Sequence, residues 1–229
     1  MTPQSTVDLQ EVKTFSANAS QWWDQTGPFK PLHQLTPLRI AFLVDTLGPL
    51  KGRKILDIGC GGGLVCEPLA RLGASIIGID PSLENITAAV GHKGDLPITY
   101  KACSAEEMEG SFDVILALEV VEHVTSLEAF LYHCRRLLLP GGRLILSTLN
   151  RTPASFLGGI VAAEYLLNWV PRGTHDWTKF VKPSELSRAA RTTGLELTGL
   201  QGFGFDLIHR QWRLQESVQV NYFALCDVL

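Results

Sequence analysis

The sequence predicts an α/β fold, a mostly parallel sheet with helices on both faces, and three observations carry that prediction. From Arg53 onward, short apolar runs alternate with helical patterns, as in β-α-β units with right-handed crossovers. The run KILDI passes directly into GCGGGL, which sets a glycine loop at the end of a strand buried on both faces. Asp80 closes the next apolar run, IIGID, and lies 80 − 59 = 21 residues after Gly59. Nucleotide-binding folds place the carboxylate that holds a ribose at about 20 residues beyond the glycine loop.

Each element follows from its local pattern. Residues 8–26 read as a helix with Val12, Phe15, Ala19, Trp22 and Trp23 on roughly one face. GPFKPLHQLTPLR carries Pro28, Pro31 and Pro37, which should break any long helix, so a second helix is expected only over about 38–47, ending at Gly48-Pro49. These pieces precede the first sheet strand and could fold over a cofactor as a helical cover (about 8–48). Lys30, His33 and Arg39 are its polar candidates, with a solvated face as the alternative for each. Strands are expected near 53–58, 75–79, 98–102, 112–118 and 142–148, and helices near 63–72, 83–90, 126–138 and 183–193. The last strands fall near 195–201 and 218–227, the final one an edge or antiparallel partner. A chain of 229 residues suits one α/β domain, in which residues 151–182 interrupt the alternation as an inserted apolar lid.

Composition excludes several classes. Hydrophobic residues make up 45% and charged residues 19%, enough apolar mass for a large core and too much for global disorder. With a net charge of −3 and no basic stripe, nucleic acid is not the expected partner. The five cysteines form no C-x-x-C pair and are odd in number, which reads as buried thiols in a reducing compartment. MTPQSTVDLQEVKTF has neither a secretory core nor an Arg-rich transit pattern, and no run of about 20 apolar residues is present. The expectation is a cytoplasmic protein of a bacterium, or one on the matrix side of the mitochondrial inner membrane if the source is eukaryotic.

The loop itself narrows the cofactor. A dinucleotide fingerprint would need its third glycine at position 64, which is Leu64, and no G-K-[ST] follows to make a phosphate loop. What stands here is D-x-G-x-G-x-G from Asp57 through Gly59, Gly61 and Gly63. Asp57 would repel a pyrophosphate but suits an ammonium and a sulfonium, so S-adenosylmethionine is the cofactor expected. A glycine turn without a ligand is the bland alternative. Contacts are expected from Asp57, Gly59, Cys60 and Gly61 in the loop, from Asp80 and Pro81 after the second strand, and from Ser104 and Ala105 (with Glu106) at an adenine wall.

FDVILALEVVEHV ends its strand at Leu118 and brings Glu119, Glu122 and His123 to the carboxyl end of the sheet, where such folds bind ligands. Two carboxylates and an imidazole could face a divalent metal. The alternative is loop charge, with His123 capping or packing. Without a metal, His123 or His175 would serve as the general base. Phe156 opens and Val170 closes an apolar stretch of 15 residues, too short to span a bilayer, with Tyr165 and Trp169 near Arg172, Lys179 and Lys182. It is expected to line an apolar tunnel and touch a membrane surface, a core helix of the lid being the alternative.

Taken together, WWDQTGPFKPLH with PLR, ILDIGCGGGL, GASIIGID, EVVEHV, LPGGRLILSTLNR, AEYLLNWVPRGTHDWTKFVKP and the terminal VNY resemble the ubiquinone-biosynthesis O-methyltransferase family over residues 12–222. The resemblance implies a class I S-adenosylmethionine-dependent methyltransferase fold, Rossmann-like, with seven strands and a reversed last strand. It implies methyl transfer to a phenolic oxygen of a polyprenylated catechol-type ring, cofactor contacts at Arg39, Gly59, Asp80 and Leu118, and magnesium at Glu119, Glu122 and His123. Implied partners are the polyprenylated phenol or quinol, a peripheral membrane surface and other ubiquinone-biosynthesis proteins. Three departures stand out: Thr36 where bacterial members commonly carry Asn, a short segment between Asp80 and Phe112, and DLIHRQWRLQES near the C-terminus. Other classes remain in view: a nicotinamide-dependent reductase, disfavoured by Leu64, a non-catalytic cofactor-binding scaffold subunit, and a methyltransferase for another small phenol.

Overall fold

The computed structural model describes residues 5–156, 176–206 and 208–229. The chain opens with α1 (Leu9–Ser16), whose N-terminus is capped by Asp8 accepting from the Gln10 and Glu11 amides. The helix expected over 8–26 stops at Ser16 because ANASQ offers no apolar face to continue it, and a 3-10 turn, Ala19–Gln21, follows. In contrast, α2 (Lys30–Leu47) is longer than the prolines suggested. Pro31 sits in the first turn, where no amide hydrogen is needed, and only Pro37 interrupts the helical ladder. Burial of Leu35, Phe42, Leu43 and Leu47 offsets that interior proline.

The alternation expected from Arg53 onward is present. It runs β1 (Lys54–Ile58), α3 (Cys66–Arg71), β2 (Ser75–Asp80), α4 (Leu83–His92), β3 (Ile98–Ala102), β4 (Phe112–Leu118), α5 (Leu127–Leu137) and β5 (Leu138–Leu149). A single turn, α6 (Pro153–Ser155), precedes α7 (Pro183–Thr192), and β6 (Leu195–Asp206), β7 (Gln211–Gln215) and β8 (Asn221–Val228) close the chain. The helix placed at 63–72 starts later, at Cys66, because residues 59–65 are held as loop by hydrogen bonds to the end of β2.

The sheet order is β3-β2-β1-β4-β5-β8-β6-β7. The first five strands are parallel, and β8 runs antiparallel to both β5 and β6, the reversed strand that was expected. Eight strands stand among the described residues where seven were expected. The addition is β7, paired antiparallel to β6 at the edge, and QWRLQ hid it because only two of its five residues are apolar. Strand alternation divides the core between the two faces. Leu56 and Ile58 of β1 pack with Phe130 and Leu131 of α5 and Leu186 of α7, whereas Ile55 packs with Leu43 of α2 and Leu69 of α3. All five cysteines are free thiols. Among the described residues no helix is long and apolar enough to cross a membrane. The proposed membrane contact lies almost wholly outside the described residues. Its first residue, Phe156, is exposed and meets Trp177 edge-on at 6.4 Å.

Candidate active site

The carboxyl ends of β1, β2 and β4 open onto a cavity of about 660 Å³. At the end of β1 the chain turns at Gly59 with φ 70°, and a Cβ there would stand 2.7 Å from Val120 Cγ2. The amides of Gly59 and Cys60 both donate to the Ile79 carbonyl, at 2.8 and 3.0 Å, which fastens the loop to β2. The Gly61 amide donates to Asp80 Oδ2 at 3.0 Å. Asp80 Oδ1 accepts from the Ser82 amide at 2.9 Å and from Asn85 Nδ2 at 3.2 Å. The carboxylate is thus fixed at the loop, and burial pushes its pKa up against those three donors.

The segment before α2 lies directly on the loop. Trp22 donates its indole hydrogen to Asn85 Oδ1 at 2.8 Å and stacks on Phe29 with centroids 3.9 Å apart. Its ring leaves no room for side chains below, since a Cβ on Gly61 or Gly62 would come within 2.4 Å of it. Trp23 donates to the Gly62 carbonyl at 3.0 Å and stacks on His92. The cover therefore grips the glycine loop through two indoles. Of its expected polar candidates, Lys30 is exposed, His33 is hydrogen-bonded to the Trp22 carbonyl at 2.8 Å, and Arg39 is buried at the cavity.

Asp57 is buried beneath the loop and accepts a hydrogen bond from the Cys66 thiol at 3.1 Å. Burial raises its pKa to about 6, with the Cys66 hydrogen bond and the Arg39 charge opposing the rise. Burial likewise raises the Cys60 and Cys66 thiols, which holds them protonated. Arg39 reaches across with Nη2 3.3 Å from Glu119 Oε1, while its Nε is buried without a hydrogen-bond partner. A cofactor with a carboxylate to offer Arg39, an ammonium for Asp57 and ribose hydroxyls for Asp80 fits these donors and acceptors.

Glu119 sits at φ 57°, a left-handed conformation uncommon for a side-chain-bearing residue. Its Oε1 accepts from Ser147 Oγ at 2.6 Å as well as from Arg39. Glu122 is buried and accepts from Thr148 Oγ1 at 2.9 Å. Burial, and then the charge of Glu119, push its pKa well above the usual carboxylate range. His123 turns its Nδ1 to within 3.3 Å of Glu11 Oε2 on α1, and Glu11 is also paired with Lys179 at 2.7 Å.

The expected metal set is therefore not assembled. Glu119, Glu122 and His123 face the same cavity, and the two carboxyls interact with each other, but no cluster of three metal-ligating side chains exists among the described residues. The three side chains also hold partners from elsewhere in the fold. Glu119 is drawn to Arg39 and Ser147, Glu122 to Thr148, and His123 to Glu11 on a different element. His175, the other expected base, lies outside the described residues.

Arg39, Asp57, Gly59, Cys60, Gly61, Asp80, Pro81, Ser104, Ala105 and Leu118 all line this one cavity. Glu106 joins them while accepting from the Thr6 amide. Sequence reasoning missed Asn85, the contact of Trp22 with the glycine loop, and the aromatic wall formed by Phe203, Phe205 and Trp212. A hydrophobic pattern records that an aromatic is buried, not what it faces. Only the strand-like alternation of Trp212 and Leu214 hinted at β7.

Fold and site together define a class I S-adenosylmethionine-dependent methyltransferase. A model of the methyltransferase domain matches residues 32–200. Magnesium protoporphyrin IX methyltransferase from Synechocystis PCC 6803, solved with bound S-adenosylhomocysteine, superposes with a TM-score of 0.65 at 17% identity, covering 95% of this chain and 94% of that one. A possible histamine N-methyltransferase from Thermotoga maritima gives 0.65 at 19% identity, covering 93% and 99%. At such identities the likeness is one of fold. Sequence relatives are nearer. The ubiquinone biosynthesis O-methyltransferase of Nitrobacter winogradskyi is 46% identical, covering 99% of this chain and 93% of the relative. That of Rhizobium etli is 43% identical, covering 97% and 96%. The chain belongs to the ubiquinone-biosynthesis O-methyltransferase family.

Proposed function

We propose that the protein transfers the methyl group of S-adenosylmethionine to a phenolic oxygen of a polyprenylated catechol-type ring in ubiquinone biosynthesis. The observation that carries this reading is near-full-length similarity to relatives bearing that name. A cavity polar at the β1–β2 end and aromatic at the β6–β7 end agrees with it. When bound, S-adenosylmethionine supplies an electrophilic methyl on a sulfonium. Asp80, held by three donors, receives the ribose hydroxyls, while Asp57 and Arg39 receive the charged ends of the methionine portion. In this reading the ring lies beside Leu118 and Glu119, an assignment supported by β4 ending between the loop and the aromatic wall. Alignment of oxygen against methyl supplies much of the rate. Glu119 and His123 are the cavity groups positioned to receive the phenolic proton. Burial, with the charge of Glu119 beside it, favours the protonated form of Glu122.

The test is mass spectrometry of S-adenosylmethionine plus a short-chain demethylubiquinol, with and without EDTA. Product in both arms supports proton acceptance by a side chain. Product that EDTA abolishes and magnesium restores would instead require Glu119, Glu122 and His123 to rearrange around an ion. No product, despite tight cofactor binding, would favour another phenolic acceptor or a scaffold subunit.

A further inference from the structure

The two ends of the cavity differ in chemistry, and none of the residues expected to hold the cofactor comes from the β6–β7 end. There Phe203 and Phe205 of β6, Trp212 of β7, Val220 and Leu35 of α2 form the wall. The Phe203 and Trp212 centroids lie 6.1 Å apart at 54°, and those of Phe205 and Trp212 lie 5.6 Å apart at 74°. Behind them Phe203 stacks on Phe223 at 4.4 Å, which fixes the wall to the core. Its polar members, Gln215 and Asn221, carry no charge, and Gln215 is already bonded to the Phe203 and Ser217 carbonyls.

Topology sets the distance. Between β1, which carries the glycine loop, and β6 stand β4, β5 and β8, four strand-to-strand steps or about 19 Å. The strands β6 and β7 bring Phe205 and Trp212 to the same edge of the sheet as the carboxyl end of β5, because Phe203 and Leu149 both pair with Asn221. An acceptor whose ring lies beside Glu119 would therefore point its opposite substituent along this edge towards the aromatic wall. An uncharged aromatic surface, continuous with the cofactor cavity, suits an unsaturated hydrocarbon and repels water and polar substituents.

We propose that the β6–β7 hairpin is the subsite for the acceptor's hydrocarbon chain, with Phe205 and Trp212 as its chain-length-determining residues. This deepens the proposed function and rests on it. Of its two chain-length-determining residues, Trp212 lies within DLIHRQWRLQES and Phe205 directly precedes it.

The experiment measures KM and kcat for catechol acceptors carrying zero, one, two and three isoprene units, in wild type, Phe205→Ala and Trp212→Ala. Trp212→Leu replaces the alanine variant if the latter fails to fold. The Kd of S-adenosylhomocysteine and the melting temperature are recorded for each. In wild type, KM should fall at least tenfold from zero to two units. In the variants that ratio should shrink about tenfold, with kcat for the chainless acceptor and the Kd unchanged. An unaltered chain-length ratio in both variants overturns the subsite, as does a wild type indifferent to chain length, while leaving the methyltransferase reading intact. A wild type that binds S-adenosylhomocysteine but methylates no catechol of any length overturns both.

Discussion

The hydrogen-bond relay Trp22–Asn85–Asp80 makes the cover a positioning element for the cofactor, and Trp22→Phe tests it. Phenylalanine keeps a ring on Gly61 and Gly62 and a stack on Phe29, but loses the donor that meets Asn85 Oδ1 at 2.8 Å. Leaving that buried oxygen unsatisfied costs about 1–3 kcal/mol. Asn85 supplies one of the three hydrogen bonds that fix Asp80 among the described residues, at 3.2 Å. If about a third of the cost reaches the carboxylate, roughly 0.3–1 kcal/mol is lost from cofactor binding, or about two- to fivefold in Kd. Titration calorimetry with S-adenosylhomocysteine at neutral pH should show that loss, and a larger one for Asn85→Ala, which removes both bonds. A melting temperature lowered in both variants with Kd unmoved in both would refute the reasoning, because the indole would then be a core residue and nothing more.

Further expectations follow from the same geometry. Gly62→Ala places a methyl 2.4 Å from Trp22 Cγ without backbone strain, so cofactor affinity should fall. The double variant with Trp22→Gly should lose little beyond Trp22→Gly alone, because Trp22 Cβ, 2.5 Å from the added methyl, goes with the ring, as a double-mutant cycle in binding would record. Asp57, raised to about 6 by burial, charges only as pH climbs through that value, so Kd for S-adenosylmethionine should worsen as pH falls from 7.5 to 5 and be lost as a pH effect in Asp57→Asn. Its folded pKa lies above the ordinary 3.8, so the linked stability is full below 3.8 and lost as pH rises through 6. Asp57→Asn should accordingly raise the apo melting temperature at pH 8 and not at pH 3.5. Phe223→Ala empties a fully buried site between Phe42 at 4.3 Å and Phe203 at 4.4 Å, and denaturant unfolding should show a loss of about 3–5 kcal/mol. Arg143→Ala breaks a forked pair with Asp227 at 2.6 and 2.8 Å. Both side chains are a third exposed, so stability should fall by less than about 1 kcal/mol and catalysis should not change.

The sequence by itself determined the frame: the order of strands and helices from β1 to β5, the reversal near the C-terminus, the glycine loop and the Asp80 that answers it. These are legible because they rest on local causes. Burial on both faces of a strand demands an uninterrupted apolar run, a turn against β2 demands glycine at Gly59, and the length of one β-α-β unit sets the spacing to Asp80. Local rules misled where packing outweighed propensity: Pro37 lies inside α2 because the buried face of that helix holds it there. Only the tertiary structure decided what each buried group faces. Trp22 and Trp23, adjacent in sequence, grip the loop through Asn85 and the Gly62 carbonyl, and His123 meets Glu11, 112 residues earlier in the chain. The partners of a side chain are fixed by elements that meet across the whole fold, and a one-dimensional pattern carries burial without direction.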